Sequence, residues 1–195
     1  MKKMEFMREA GKAIMDIYAQ DFMVYEKADE SPVTDADLAS EQIIYNGLKD
    51  LYPDIPVVGE EHTANGEEPD LSTPYFWLVD PIDGTADFVK KNGEFTVNIA
   101  LIENDTPVFG MVYVPVAKEL YYTRSIHQAV LEKEGKVIEI HTRKVSNEGY
   151  TVLNSRTHCD QTVVQEILSG FKIKEQFPCG SSWKFCKIAR GEADL

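Results

Sequence analysis

The stretch Tyr75-Phe76-Trp77-Leu78-Val79-Asp80-Pro81-Ile82-Asp83-Gly84-Thr85 decides how this chain is read. Its first five residues are aromatic, aliphatic or β-branched, the composition of a buried strand. The strand runs straight into Asp80 and then a Pro- and Gly-containing turn. Two carboxylates three residues apart on a tight turn, Asp80 and Asp83, can converge on one point. Left alone they repel, and each resists ionisation. A hard divalent cation removes that cost, and carboxylate oxygens are the ligands that Mg²⁺ prefers. The carbonyl of Ile82 can point to the same place, and the amides of Gly84 and Thr85 can form a nest for an anion beside it. A plain surface turn is the competing explanation, because Asp, Pro and Gly all favour turns. The preceding strand, with Trp77 and Val79, favours a strand-end active site.

Moving outward, Ile55-Pro56-Val57-Val58 reads as a second short strand, ending in Gly59-Glu60-Glu61-His62. Paired glutamates are most often solvated surface. These two follow a buried strand, as Asp80 does, and strand ends facing the same way can bring distant carboxylates together. Asp37 has two readings as well. Thr34-x-x-Asp37 has the form of a capping box at a helix start, and Asp37 can equally orient a hydroxyl or a water. Spacing leaves both open.

The remaining elements follow from periodicity. Residues 4–20 form an amphipathic helix, with Met4, Met7, Ala10, Ile14 and Ile17 on one face. Residues 26–33 are polar and irregular. A second helix starts near Thr34, carries Leu38, Ile44, Leu48 and Leu51 on one face, and ends at Pro53. Residues 63–74 are loop-like. Strands are expected at 95–102, 107–114 and 119–123, with a turn at Asn104-Asp105, and another at 150–154. Helices are expected at 160–170 and 181–190. Helices, then a meander of strands, then alternating elements describe an α+β fold, a sheet layered with helices.

Bulk properties narrow the class. The 33 Asp and Glu against 20 Lys and Arg give a net charge of −13, which excludes the basic footprint of a nucleic-acid binder. Bound cations are then what would attract an anionic substrate. Cys159, Cys179 and Cys186 form no CxxC pair and are odd in number, so neither a disulfide framework nor a zinc site is expected. Charges at Lys2, Lys3, Glu5, Arg8, Glu9 and Lys12 leave no apolar core for a secretory signal. No apolar run reaches the length of a bilayer span. The expected location is cytoplasmic, with peripheral membrane association left open.

At the quoted residues a resemblance becomes specific. Gly59-Glu60-Glu61 and Trp77-Leu-Val-Asp-Pro-Ile-Asp-Gly-Thr85 resemble the paired signature of the inositol monophosphatase superfamily. Three more blocks resemble its CysQ-type bisphosphate nucleotidases: Lys27-Ala-Asp-Glu-Ser-Pro-Val-Thr-Asp-Ala-Asp37, Asn92-Gly-Glu-Phe-Thr-Val-Asn-Ile-Ala-Leu-Ile102 and Gly180-Ser-Ser-Trp-Lys-Phe-Cys-Lys-Ile-Ala-Arg-Gly191. The resemblance covers essentially the whole chain. It implies the layered α/β sandwich of the inositol monophosphatase and sugar phosphatases. Residues 1–145 would be an N-terminal metal-binding phosphatase domain, and 146–195 the start of a smaller substrate domain.

The resemblance also implies roles. Glu60, Asp80, Asp83 and the Ile82 carbonyl resemble ligands for two or three Mg²⁺ ions, with Asp80 bridging two. Asp37 and Thr85 resemble the pair that activates the attacking water. Glu60, Asp83, Gly84, Thr85, Ser181, Lys184 and His158 resemble substrate contacts. A solvated helix lysine and an ordinary loop histidine are the plainer readings of Lys184 and His158. The implied reaction is hydrolysis of the 3′-phosphate of adenosine 3′,5′-bisphosphate to AMP and phosphate, with a role in sulfur assimilation and lithium sensitivity. A homodimer is compatible with it. Alternatives are an inositol or sugar phosphatase on the same metal core, or a catalytically impaired metal or nucleotide binder. A haloacid-dehalogenase-like mechanism fits less well, because two residues separate Asp80 from Asp83 and Glu60 would have no role.

There are departures. Ala86-Asp87 stands where the signature continues with Lys-Glu, and Trp183 where a smaller residue is common. The resemblance also implies a further segment beyond Leu195, in which the family carries a Trp-Asp motif whose Asp completes the second metal site and a substrate-contacting Arg. On that account it is expected to be an incomplete enzyme.

Overall fold

The computed structural model describes residues 4–28, 30–66, 68–156 and 160–195. Its centre is a seven-stranded sheet. In spatial order it comprises β3 (Val57–Gly59), β4 (Tyr75–Asp83), β5 (Thr96–Glu103), β6 (Thr106–Val114), β7 (Glu119–Ser125), β8 (Gln128–Lys133) and β9 (Lys136–Ile140). From β4 onward every pairing is antiparallel between chain neighbours, while β3 lies parallel to β4. Ahead of the sheet come a short hairpin, β1 (Val24–Glu26) with β2 (Pro32–Thr34), and two helices, α1 (Glu5–Tyr18) and α2 (Asp35–Leu51).

Alternation along the strands sets the layers. Val57, Trp77, Val79, Ile99 and Met111 face one way and meet Met7, Ile14, Ile44 and Leu48 of α1 and α2, forming the main core. The opposite face receives α6 (Trp183–Ala189), whose Cys186 packs on Val114, Tyr121 and Leu131. Beside α6 lies an apolar groove of about 480 Å³, walled by Leu78, Ala100, Val112 and Phe185. A second, two-stranded parallel sheet joins β10 (Tyr150–Asn154) to β11 (Ile173–Pro178) across α5 (Gln161–Leu168). Backbone bonds from Leu153 to Leu195 and from Asp194 to Thr151 hold the last residues beside β10. Among the described residues no helix is long and apolar enough to cross a membrane.

The expected helices and strands are present, and the α+β layering is as expected. Four local readings change. Residues 26–33 are not irregular throughout, because their ends pair as β1 and β2. The turn does not begin at Asp80. The strand runs on to Asp83, with a break in register between Asp80 and Asp83, and the chain turns at Gly84. Leu38 and Leu51 do not share the buried face of α2 and are exposed. That face holds Asp37, Ser40 and Glu41 along with Ile44 and Leu48, because their carboxylates and hydroxyl have partners inside. Residues 63–74 are not loop throughout, since α3 (Glu60–Ala64) takes the first two.

Candidate active site

Parallel pairing of β3 with β4 puts Gly59 opposite Val79. The residues that follow, Glu60 and Asp80, therefore stand side by side, Glu60 just past the end of β3 and Asp80 still in β4, close enough for their carboxyl groups to interact. The register break brings Asp83 back to the same end, opposite Thr96 of β5. Gly84, at φ +93°, then turns the chain into α4 (Thr85–Val89). That left-handed conformation suits glycine, and a Cβ there would also sit 3.1 Å from the Glu94 carbonyl oxygen. On the other side Ser181, a non-glycine residue at φ +51°, leads into α6. Between these walls lies a cavity of about 430 Å³ that Glu60, Asp83, Gly84, Thr85, Ser181 and Lys184 all reach.

Behind the cavity the carboxylates are buried. Burial, followed by the charges of Glu60 and Asp83, pushes the Asp80 carboxyl up to about 8. Its Oδ1 is buried without a hydrogen-bond partner, while Oδ2 accepts from Asn98 Nδ2 at 3.4 Å. Asp37 is 2% exposed. Its Oδ2 accepts from the Thr34 N–H at 2.8 Å and the Thr34 hydroxyl at 2.7 Å, completing the capping box of α2. Its Oδ1 faces the Thr85 hydroxyl at 3.2 Å. Burial raises the Asp37 carboxyl, and the Thr34 and Thr85 bonds hold it back. So Asp37 caps a helix and also meets Thr85.

Glu60 begins α3, and Glu41 fixes that junction from below. The Glu41 carboxylate is 1% exposed and accepts from the N–H groups of Glu61 and His62 at 2.9 and 2.8 Å. The ring Nδ1 of His62 lies 2.5 Å from it. Lys27 reaches across from the β1–β2 hairpin, its Nζ 2.6 Å from Glu60 and 2.7 Å from Glu61. Burial works against its ammonium, but hydrogen bonds to both glutamates outweigh this and raise it.

The donor set suits Mg²⁺. Three carboxylates and a carbonyl are hard oxygen ligands, and the partnerless Asp80 Oδ1 is a buried acceptor that a cation would satisfy. Among the described residues, however, no three acidic, His or Cys side chains already close around one point. Glu60 is turned to Lys27, and Asp83 Oδ2 accepts from the Ser182 N–H at 2.5 Å. An ion bound here would compete with the Lys27 ammonium for Glu60.

The structure thus places six of the expected residues on one cavity, with Asp80, Ile82 and Asp37 just behind. Lys184 stands at the rim, its Nζ 2.5 Å from the Ser181 carbonyl oxygen. His158 lies outside the described residues. Sequence reasoning assigned no role to Lys27, Asn98 or Ser182. Thr96 and Asn98 did leave a signal, as polar residues at alternate positions of an otherwise apolar strand.

A mixed sheet layered with helices, with acidic strand ends opening on such a cavity, is the arrangement of a phosphatase family. The chain belongs to the inositol monophosphatase family, which it matches over residues 2–195. Enzymes of this family are generally Mg²⁺-dependent. The chain is 44% identical over 190 residues to a Salmonella typhimurium protein named 3′(2′),5′-bisphosphate nucleotidase CysQ, covering 96% of this chain and 75% of the relative. A Buchnera aphidicola protein of the same name is 41% identical over 192 residues, covering 96% and 70%. Among solved structures, CysQ from Bacteroides thetaiotaomicron superposes with a TM-score of 0.76 at 32% identity, covering 98% of this chain and 76% of that one. An IMPase from Thermotoga maritima shares the fold, with a TM-score of 0.80 at 21% identity, covering 98% and 72%.

Proposed function

We propose that this chain is a Mg²⁺-dependent phosphomonoesterase that hydrolyses the 3′-phosphate of adenosine 3′,5′-bisphosphate, giving AMP and phosphate. The observation that carries this is the cavity with Glu60, Asp83, Gly84 and Thr85 on one wall and Ser181 and Lys184 on the other. The similarity to proteins named bisphosphate nucleotidases supplies the substrate.

Glu60, Asp80, Asp83 and the Ile82 carbonyl would hold Mg²⁺, which would supply charge to the phosphoryl oxygens and acidify the attacking water. The chain's own residues do the positioning. The single proton of the Thr85 hydroxyl is committed to Asp37 Oδ1 or to the Ile82 carbonyl, at 3.2 and 3.0 Å. The hydroxyl oxygen is then left to accept from a water and aim it, with Asp37 as the base behind. The amides of Gly84 and Thr85 hold a phosphoryl oxygen. Water oxygen bonds to phosphorus, the bond to the 3′ oxygen breaks, and that oxygen takes a proton. Lys184 and Ser181 face the nucleotide.

The same reading includes a cytoplasmic role in recycling this nucleotide during sulfur assimilation, inhibition by Li⁺, and a division between residues 1–145 and 146–195. The break between the seven-stranded sheet and the β10–β11 sheet supports that division. The test is phosphate release from adenosine 3′,5′-bisphosphate and from inositol 1-phosphate, side by side, with Mg²⁺ and with EDTA. Mg²⁺-dependent preference for the nucleotide is expected. Preference for inositol phosphate, or release undiminished in EDTA, would overturn it.

A further inference from the structure

We propose that Asn98 and Ser182, with Thr96 behind them, are positioning residues for the two metal carboxylates and tie α6 to the metal centre. The inference rests on the reading of Asp80 and Asp83 as Mg²⁺ ligands.

The register break in β4 sets it up. Asp80 pairs across the sheet with Asn98, and Asp83 pairs with Thr96. Pro81 and Ile82 thus stand against Val97 alone, the two-against-one count of a bulge. Thr96 and Asn98 lie two apart on one strand, so both point to the same face. Ser182, at the start of α6, sits between them. Its hydroxyl is 2.7 Å from Asn98 Oδ1 and 2.8 Å from Thr96 Oγ1, and its N–H is 2.5 Å from Asp83 Oδ2.

Counting protons fixes the direction of every bond. With Mg²⁺ bound, Asp80 is ionised and can only accept, so Asn98 presents its NH₂ to it, at 3.4 Å. The Asn98 oxygen is then left facing Ser182, and the Ser182 hydroxyl must donate to it. Having one proton, that hydroxyl must accept from Thr96. The Thr96 proton is better spent there than on Asp83 Oδ2 at 3.5 Å, which already has the Ser182 N–H. A one-way chain results, from Thr96 to Ser182 to Asn98 to Asp80, with each bond polarising the next. Ser182 thus serves Asp80 through its hydroxyl, by way of Asn98, and Asp83 directly through its backbone amide. Whatever moves Ser182 therefore moves both carboxylates.

Partners of metal-ligating groups typically change metal affinity about 10–100-fold when removed. Mg²⁺ affinity would be measured by calorimetry on the full chain, its Asp80→Asn variant, Asn98→Ala, Ser182→Ala, the double variant, and Gln128→Ala as a distant control. Each single variant on the chain is expected to bind Mg²⁺ about tenfold more weakly. The double variant should bind no more weakly than Asn98→Ala, because both changes break one chain. Ser182→Ala is expected to melt cooperatively in EDTA, at a slightly lower temperature for the two hydrogen bonds lost, which separates positioning from failure to fold. Wild-type affinity in both single variants, or losses that multiply, would overturn the inference. An unaltered protein that binds no Mg²⁺ would instead overturn the underlying reading of the metal ligands. Should the variants fail to fold, the unaltered protein still decides, through the Asn98 side-chain amide signal in ¹⁵N spectra. A shift on adding Mg²⁺ supports the chain, and a stationary signal sinks it.

Discussion

Asp80 is under two opposing demands. Burial and the neighbouring Glu60 and Asp83 push its proton affinity up, while its unpartnered oxygen is shaped for a cation. Replacing it with Asn should cost the metal-free fold nothing, because it removes a charge that the site disfavours. In EDTA the melting temperature of Asp80→Asn is expected to be equal or higher, yet added Mg²⁺ should no longer raise it, and turnover should fall by orders of magnitude. Turnover kept in Asp80→Asn would refute the metal reading. The pairing of Asp37 with Thr85 calls for a different measurement. If the two act on one water, rate losses in Asp37→Asn, Thr85→Ala and the double variant are strongly non-additive. If Asp37 serves only α2, Asp37→Asn costs about 1 kcal/mol of stability and leaves the rate alone. Sequence showed both halves of this ambiguity because the capping box is a local pattern. It could not show the Thr85 contact, which depends on how α2 lies on the sheet.

At the level of elements, the β3–α3 junction is a tight joint near the site. A Cβ at Gly59 would stand well inside contact distance of the Glu41 carboxyl, whose oxygens are engaged by α3. That side chain cannot step aside without releasing the two N–H groups that aim Glu60. Gly59→Ala is therefore expected to lower stability by about 1–3 kcal/mol, as overpacking does, and to weaken Mg²⁺ binding. Urea denaturation and calorimetry read the two effects, and an unchanged protein would show that Glu41 is free to move. Strands with long apolar runs, β4 and β5, were legible from sequence. The β8–β9 hairpin was not, since Gln128–Lys133 and Lys136–Ile140 mix charge with apolar residues and are partly exposed. The Asp80 to Thr85 motif was legible as two carboxylates at the end of an apolar strand, but not in its shape. Asp and Pro suggested a turn, and pairing with β5 overrode that preference.

Across the whole molecule, the link to the C-terminal segment is ionic as well as apolar. Arg143 pairs through two nitrogens with Asp194, at 2.8 and 2.9 Å, and Asp194 also accepts from the Thr151 N–H. The Arg143 bond, more than any other influence, lowers the Asp194 carboxyl to about 2. A lowered acid contributes stability above its unfolded value of about 3.9, and loses it as pH falls toward the folded value. Arg143 is 40% exposed on its side chain, so solvent screening limits the contribution to roughly 1 kcal/mol. Asp194→Asn should thus be less stable than the unaltered chain at neutral pH, with the gap closing between about pH 4 and pH 2. Denaturation series across that range measure it, and a gap that persists at pH 2 would assign the loss to geometry instead.

Placing β3 at the edge, parallel to β4, has a kinetic consequence. Strands β5 to β9 can zip up through short hairpins, each closing a small loop, whereas β4 joins β5 across α4, and β3 joins β4 across α3 and the segment that follows it. Closing the longer loop costs more chain entropy, and such contacts form late. Glu60 therefore reaches Asp80 only after the meander exists, and the mutually repelling carboxylates stay apart while the sheet nucleates. Pulse-labelled hydrogen exchange during refolding should find the amides of Ile99 and Met111 protected before that of Val58. Simultaneous protection would mean that the carboxylate cluster is assembled in the rate-limiting step itself.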